Sequence, residues 1–157
     1  MKYVCLNKSH EYFGVIGDLC IQQVVEENLH KNGGMLFVRN AIFYSDFILV
    51  AMNEEQTLMY GFIALKSMVN HETKEAKLYI NQIAVKKAYQ RQGIAKTLLQ
   101  KVILESDMDI ICHIKAINLN SQSFFESMGF IKDENSNVYN PTYHRTYQKP
   151  ELKGTLT

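Results

Sequence analysis

The sequence predicts an α/β domain with a mixed sheet, helices on both faces and one parallel crossover. Three observations carry that prediction. Apolar, strand-like runs come first and are joined by short polar turns. A strand at residues 77–85 then runs through a glycine-bearing loop straight into an amphipathic helix. A further strand–helix–strand succession comes after it, so the chain ends β-α-β-α-β, the pattern of layered sheets with helical crossovers.

Residues 2–6 read as a short first strand. Residues 10–30 read as a helix, because Ile16, Leu19, Cys20, Ile21, Val24 and Val25 form a broad apolar stripe. Gly14 and Gly17 weaken its start, and Asn32-Gly33-Gly34 should stop it. Residues 35–46 fit neither period. Residues 47–52 (Phe-Ile-Leu-Val-Ala-Met) read as a buried strand, Asn53–Gln56 as a turn and 57–69 as the returning strand. After a polar turn at His71–Glu75 comes the strand at 77–85. A helix over about 93–105 carries the stripe Ile94, Leu98, Leu99, Val102 and Ile103. Residues 109–117 read as a strand and 120–128 as a short helix closed by a left-handed Gly129. One or two strands, at about 130–132 and 143–148, complete the chain.

At 157 residues, without a Pro/Ser/Gly-rich linker or a repeat, the chain reads as one domain spanning 1–157. Its 17 Lys+Arg against 16 Asp+Glu leave a net charge of +1, which gives no footprint for nucleic acid. No apolar stretch is long enough for a membrane span and no secretory leader is visible, so a cytoplasmic protein is expected. Cys5, Cys20 and Cys112 are odd in number and widely spaced. They are expected to be reduced thiols packed in the core, with no zinc or other metal site.

The segment Ile83-Ala84-Val85-Lys86-Lys87-Ala88-Tyr89-Gln90-Arg91-Gln92-Gly93-Ile94-Ala95-Lys96 is the most informative. No Ser, Thr, Asp or Asn caps the helix that starts near Gly93, so its first N–H groups lack an internal partner. Gly93 and Ala95 keep side chains small there, and Arg91 and Lys96 add positive charge. Such a helix start suits an anion, since N–H groups and helix dipole both point at it. It is neither a Gly-x-x-x-x-Gly-Lys-Ser/Thr loop nor a Gly-x-Gly-x-x-Gly turn. The bland alternative is a surface turn with a frayed helix start.

Gln90-Arg91-Gln92-Gly93-Ile94-Ala95 resembles the acetyl-CoA motif Gln/Arg-x-x-Gly-x-Gly/Ala of the GNAT N-acetyltransferases. Downstream, Asn118-Leu119-Asn120-Ser121-Gln122-Ser123-Phe124-Phe125-Glu126-Ser127-Met128-Gly129-Phe130 is similar to that family's Asn-x-x-Ala/Ser-x-x-x-Tyr/Phe-x-x-x-Gly-Phe segment. The resemblance covers residues 77–132 well and residues 1–46 only in outline. It implies a mixed, mostly antiparallel central sheet (α+β by some schemes) with one splayed parallel strand pair. It also implies acetyl-CoA as cosubstrate, transfer to a primary amine on a small molecule or protein, and compatibility with a homodimer.

By the same resemblance, Ile83, Ala84 and Val85 line the splay, and the arm of the cofactor pairs with the backbone of Ile83 and Val85. The Ile83 N–H then faces the thioester oxygen as oxyanion donor. The backbone of Gln90, Arg91, Gln92, Gly93, Ile94 and Ala95 holds the pyrophosphate, with Lys96 adding charge, while Asn118 meets the arm or the splayed strand and Phe125 packs against the cofactor. Two departures stand out. Lys87 occupies a place where proline is common, and Phe125 a place where many members carry a tyrosine thought to protonate the departing thiolate.

The strand at 77–85 (Lys-Leu-Tyr-Ile-Asn-Gln-Ile-Ala-Val) carries no carboxylate, so the side-chain base and acid stay unassigned. Tyr139 and Tyr143 are the alternative acids. His113, inside an apolar run, reads as structural first and as the leading substitute base second. His71 and His144 have no assignable partner. The competing reading is an acyl-CoA-binding sensor or partner protein that has lost catalysis.

Overall fold

The computed structural model describes residues 1–26 and 34–149. The predicted helix stop at Asn32-Gly33 and the end of the predicted 10–30 helix lie outside the described residues.

A seven-stranded sheet runs in the order β1-β2-β3-β4-β5-β7-β6. Its first four strands, β1 (Lys2–Asn7), β2 (Phe47–Met52), β3 (Met59–Val69) and β4 (Ala76–Val85), form an antiparallel meander. α3 (Ile94–Glu105) then crosses over to β5 (Asp109–His113), which runs parallel to β4. α4 (Leu119–Ser127) leads to β6 (Ile131–Lys132) and β7 (Thr142–Arg145), and β7 pairs antiparallel with both β5 and β6. The sheet is therefore mixed and mostly antiparallel with a single parallel pair, as the sequence led one to expect.

Two apolar clusters lie on opposite faces. One gathers Leu98, Leu99 and Val102 of α3 and Phe125 of α4 over Ile63, Leu78, Ile80, Ile110 and Cys112. The other gathers Phe13, Cys20, Val24, Val25, Val38 and Ile42 over Ile48, Val50, Phe62 and Ala64.

The expected helix at 10–30 begins later, as α1 (Phe13–Cys20), and continues as a π-helical turn over Ile21–Val25. Residues 35–46 resolve into α2 (Met35–Phe43). Only Val38 and Ile42, one turn apart, are buried there, while Met35, Leu36 and Phe37 stay exposed. The apolar residues therefore do not track the buried face, which hid the helical period. The strand expected over 109–117 is shorter. β5 ends at His113, and the segment beyond it keeps bonding to the loop before β7, with Ile114 N–H on Pro141 O (3.1 Å) and Ala116 N–H on Tyr139 O (2.9 Å).

Two irregularities mark β4. Ala64 pairs with Gln82 and Leu65 with Ile80, so Asn81 is an extra residue, a bulge. At the far end Gly61 faces Val85, and a Cβ on Gly61 would sit 2.8 Å from the Ala84 carbonyl oxygen. That close approach presses β3 and β4 together where β4 leads into the loop before α3.

Candidate functional site

The β4–β5 ladder holds over three residue pairs, Lys77–Asp109, Leu78–Ile110 and Tyr79–Ile111. β4 continues to Val85 against β3 alone, and β5 continues to His113 against β7 alone. The parallel pair thus parts after Tyr79 and Ile111, leaving the β5 side of Ile80–Val85 without a strand partner among the described residues.

Strand geometry decides which groups face that gap. The Lys86 N–H donates to the Tyr60 carbonyl at 2.8 Å, on the β3 side. Alternate residues of an antiparallel strand bond to the same neighbour, so Ala84 also turns its N–H and C=O to β3. Ile83 and Val85 then turn theirs toward the gap. The Gln90 side chain bears this out, since its Nε2 donates to the Val85 carbonyl at 3.0 Å from outside the β3 ladder. Gln90 is thereby tied to the strand end.

Beyond Val85 a 3-10 turn over Lys87–Tyr89 is braced by Tyr89 against Tyr60, ring centroids 4.6 Å apart. Arg91 then takes φ +65° and Gly93 φ +80°. A left-handed non-glycine residue costs of order 1–3 kcal/mol and is found where surrounding structure enforces it. α3 starts at Gly93 with no side-chain cap. Thr97 closes the first turn onto the Gly93 carbonyl, by its N–H at 3.0 Å and its Oγ1 at 2.9 Å. The backbone N–H groups of Arg91 through Lys96 donate to no described residue. Arg91, Gln92, Gly93 and Lys96 are exposed, Ala95 is half-buried, and the Ile94 side chain is core. Nothing lies within 4 Å of where a Gly93 Cβ would stand. The arrangement is a row of outward N–H donors flanked by two cations, open to a bulky anion.

Asn118 caps α4, its Oδ1 accepting the Ser121 N–H at 3.1 Å. Its side-chain oxygen is thus already engaged. Phe125 is 4% exposed and stacks edge-on against Phe124 and Phe130, both at 5.1 Å. It offers packing and no proton. Of the alternative acids, Tyr139 is exposed, while Tyr143 is fully buried within the α3/α4 cluster. Burial raises the Tyr143 hydroxyl pKa, and the charges of Glu126, Cys112 and Glu134 raise it further.

The three cysteines are free. Burial pushes Cys112 up to about 12 and raises Cys20 as well. Cys5, expected in the core, is instead exposed at the edge strand β1, where partial desolvation and the Glu105 charge raise its thiol. None is poised as a thiolate nucleophile.

Sequence reasoning missed what surrounds Asn81. The bulge brings the Asn81 Nδ2 to the Ser45 Oγ at 3.0 Å and toward the Ala41 carbonyl at 3.4 Å, tying β4 to the end of α2. Two polar residues in succession, Asn81-Gln82, inside an apolar strand were the available signal. No sequence pattern hinted that His113 would meet Thr142, its Nδ1 standing 3.1 Å from Thr142 Oγ1. A shallow surface pocket of about 360 Å³, lined in part by Asn7, Asp46, Phe47 and Ser67, lies at the opposite end of the sheet from Val85. It belongs to the Lys8–Asp46 ion pair (2.9 Å) and not to this cleft. Among the described residues no helix is long and apolar enough to cross a membrane.

A family model described as an acetyltransferase (GNAT) domain matches residues 44–132. A sequence search of curated proteins gives no significant match. Several solved structures share the fold. GCN5 from Tetrahymena is 12% identical with a TM-score of 0.70, covering 94% of this chain and 97% of that one. Naa50 from Arabidopsis thaliana, in complex with the bisubstrate analogue CoA-Ac-MVNAL, is 15% identical with a TM-score of 0.64, covering 94% and 100%. PaiA N-acetyltransferase from Thermoplasma acidophilum, in complex with coenzyme A, is 17% identical with a TM-score of 0.60, again covering 94% and 100%.

Proposed function

Because the chain belongs to the GNAT acetyltransferase family, we propose that it transfers an acetyl group from acetyl-CoA to a primary amine by direct attack in a ternary complex, with residues 1–157 acting as one domain. The observation that carries this reading is the parted β4–β5 pair, which turns the backbone of Ile83 and Val85 into a gap that begins beside the bare start of α3. The coenzyme A held by PaiA and the CoA–peptide analogue held by Naa50 support a coenzyme A thioester as the ligand of that fold.

In this reading the N–H groups of Arg91–Lys96, with Gln90, Gln92 and Gly93 shaping the loop, receive the pyrophosphate, and Arg91 and Lys96 add charge. The pantetheine arm enters the gap, bonding to the Ile83 and Val85 backbone and packing near Ala84, Asn118 and Phe125. The Ile83 N–H stabilises the oxyanion that forms at the thioester carbon. The raised thiols disfavour an acyl-cysteine intermediate, which supports direct attack. Three free thiols also fit a reducing, cytoplasmic setting. Bringing amine and thioester together is worth about 7–11 kcal/mol when the geometry is right. Phe125 supplies no acid, so the thiolate takes its proton from elsewhere.

Release of free coenzyme A thiol with a panel of primary amines (small amines, amino acids, aminoglycosides and peptides with free N-termini) tests the reading. Acceptor-dependent release from at least one class is expected. Acetyl-CoA binding with no thiol release from any acceptor would instead favour a catalytically silent acyl-CoA sensor, the reading that Phe125 and the carboxylate-free β4 keep in play.

A further inference from the structure

We infer that His113 is the general base that neutralises the acceptor amine, with Thr142 as its positioning residue. This inference rests on the acyl-transfer reading and deepens it.

An acceptor amine of lysine-like basicity, pKa about 10.4, is neutral in only about one molecule in 2,500 at pH 7. β4 offers Asn81 and Gln82 beside the gap, and neither side chain accepts a proton near neutral pH. The neighbouring strand does better. β5 is buried at Ile110, Ile111 and Cys112 and again at Ile114, yet His113 between them is exposed. It lies two residues past Ile111, the last residue that pairs with β4, and so stands where the two strands have parted.

Alternation along β5 puts His113 on the same face as Ile111, which is level with Tyr79 of β4. Asn81 turns toward α2 on that face, where it meets Ser45. The α3/α4 cluster, with Cys112 and Phe125, occupies the other face. His113 therefore borders the gap on the face of the sheet away from α3 and α4, with its side chain exposed.

The ring is held. Its Nδ1 lies 3.1 Å from Thr142 Oγ1, directly across the β5–β7 ladder. Thr142 is itself fixed, its N–H donating to Ser136 Oγ at 2.9 Å and its carbonyl accepting the Asp133 N–H at 2.8 Å. With Nδ1–H donating to Thr142 Oγ1, the lone pair sits on Nε2. Nε2 then takes, through a water molecule, one proton from the acceptor ammonium. The neutral nitrogen attacks the thioester carbon and the C–S bond breaks. The proton still on nitrogen passes through solvent to the departing sulfur, and His113 returns its own to bulk water. The other titratable side chains on this strand face are Lys77 and Tyr79 of β4, Asp109 of β5, Lys115 just beyond it and His144 of β7.

The test is the pH profile of kcat/KM for two acceptors whose amines differ by about two pKa units. One inflection, shared by both acceptors and independent of their own basicity, is expected. His113→Gln should lower kcat/KM at pH 7 about 100-fold and move the inflection to each acceptor's own pKa. Thr142→Val should shift the shared inflection with acetyl-CoA affinity unchanged. Profiles that already track acceptor basicity in the native protein, or an unaltered His113→Gln, would overturn the inference. Long-range nitrogen NMR of the imidazoles provides a readout free of turnover. The neutral His113 ring should carry its proton on Nδ1, and a proton on Nε2 would overturn the inference with acyl transfer intact. Absence of thiol release with every amine would instead overturn the acyl-transfer reading and this one with it.

Discussion

Gly93→Glu is expected to abolish acetyl-CoA binding while the protein stays folded. Residue 93 begins α3 with no side-chain cap, and its Cβ position opens onto empty space. The new carboxylate meets no steric obstacle and projects beside the row of N–H donors proposed to receive the phosphates. Two like charges about 4 Å apart near a protein surface repel by about 4 kcal/mol, which corresponds to roughly a thousandfold in affinity. The substitution also imposes backbone strain, because φ is +80°. Gly93→Asn separates the two effects, since asparagine tolerates the left-handed region and carries no charge. Calorimetry should show binding lost in the glutamate variant and largely kept in the asparagine variant, with both giving cooperative melts. Unchanged affinity in Gly93→Glu would place the pyrophosphate elsewhere.

The second large effect is on the chemical step. Replacing the peptide bond before Ile83 with an ester removes one N–H and nothing from the β3 ladder, because that N–H faces the gap. Loss of one oxyanion donor costs about 10²–10³ in kcat. Acetyl-CoA affinity should change far less, since the donor matters most when charge develops. The same replacement before Ala84 is the control. Its N–H faces β3, so stability should fall by about 0.5–1.5 kcal/mol with kcat nearly intact. A kcat within a few-fold of native for the Ile83 ester, with turnover otherwise normal, would contradict the assignment.

What the sequence revealed and what it concealed divide along physical lines. β4, the loop and α3 were legible because their determinants are contiguous. An apolar strand, an uncapped helix start and the stripe Ile94, Leu98, Leu99, Val102 lie within one short segment, and each was found where expected. The Gly129 stop was legible for the same reason, its φ of +89° being a glycine preference. The bulge at Asn81 and the parting after Tyr79 were not, because both are relations between strands remote in sequence. The motif resemblance implied the splay, but only the register locates its vertex. α2 stayed hidden because its buried residues are two among many apolar ones. His113 reads as a core histidine from its apolar neighbours. Its exposure arises from where β5 leaves β4, which no local pattern encodes.

Residue-resolved amide hydrogen exchange, with and without acetyl-CoA, probes the cofactor cleft without relying on turnover. The ligand should slow exchange at Ile83, Val85 and Arg91–Lys96, groups that face the gap or the bare helix start. Ala84 and Lys86, which face β3 already, should change little. Protection confined to other segments, with the amides at 83, 85 and 91–96 exchanging as fast as in the free protein, would contradict a cofactor held between the parted strands and the start of α3.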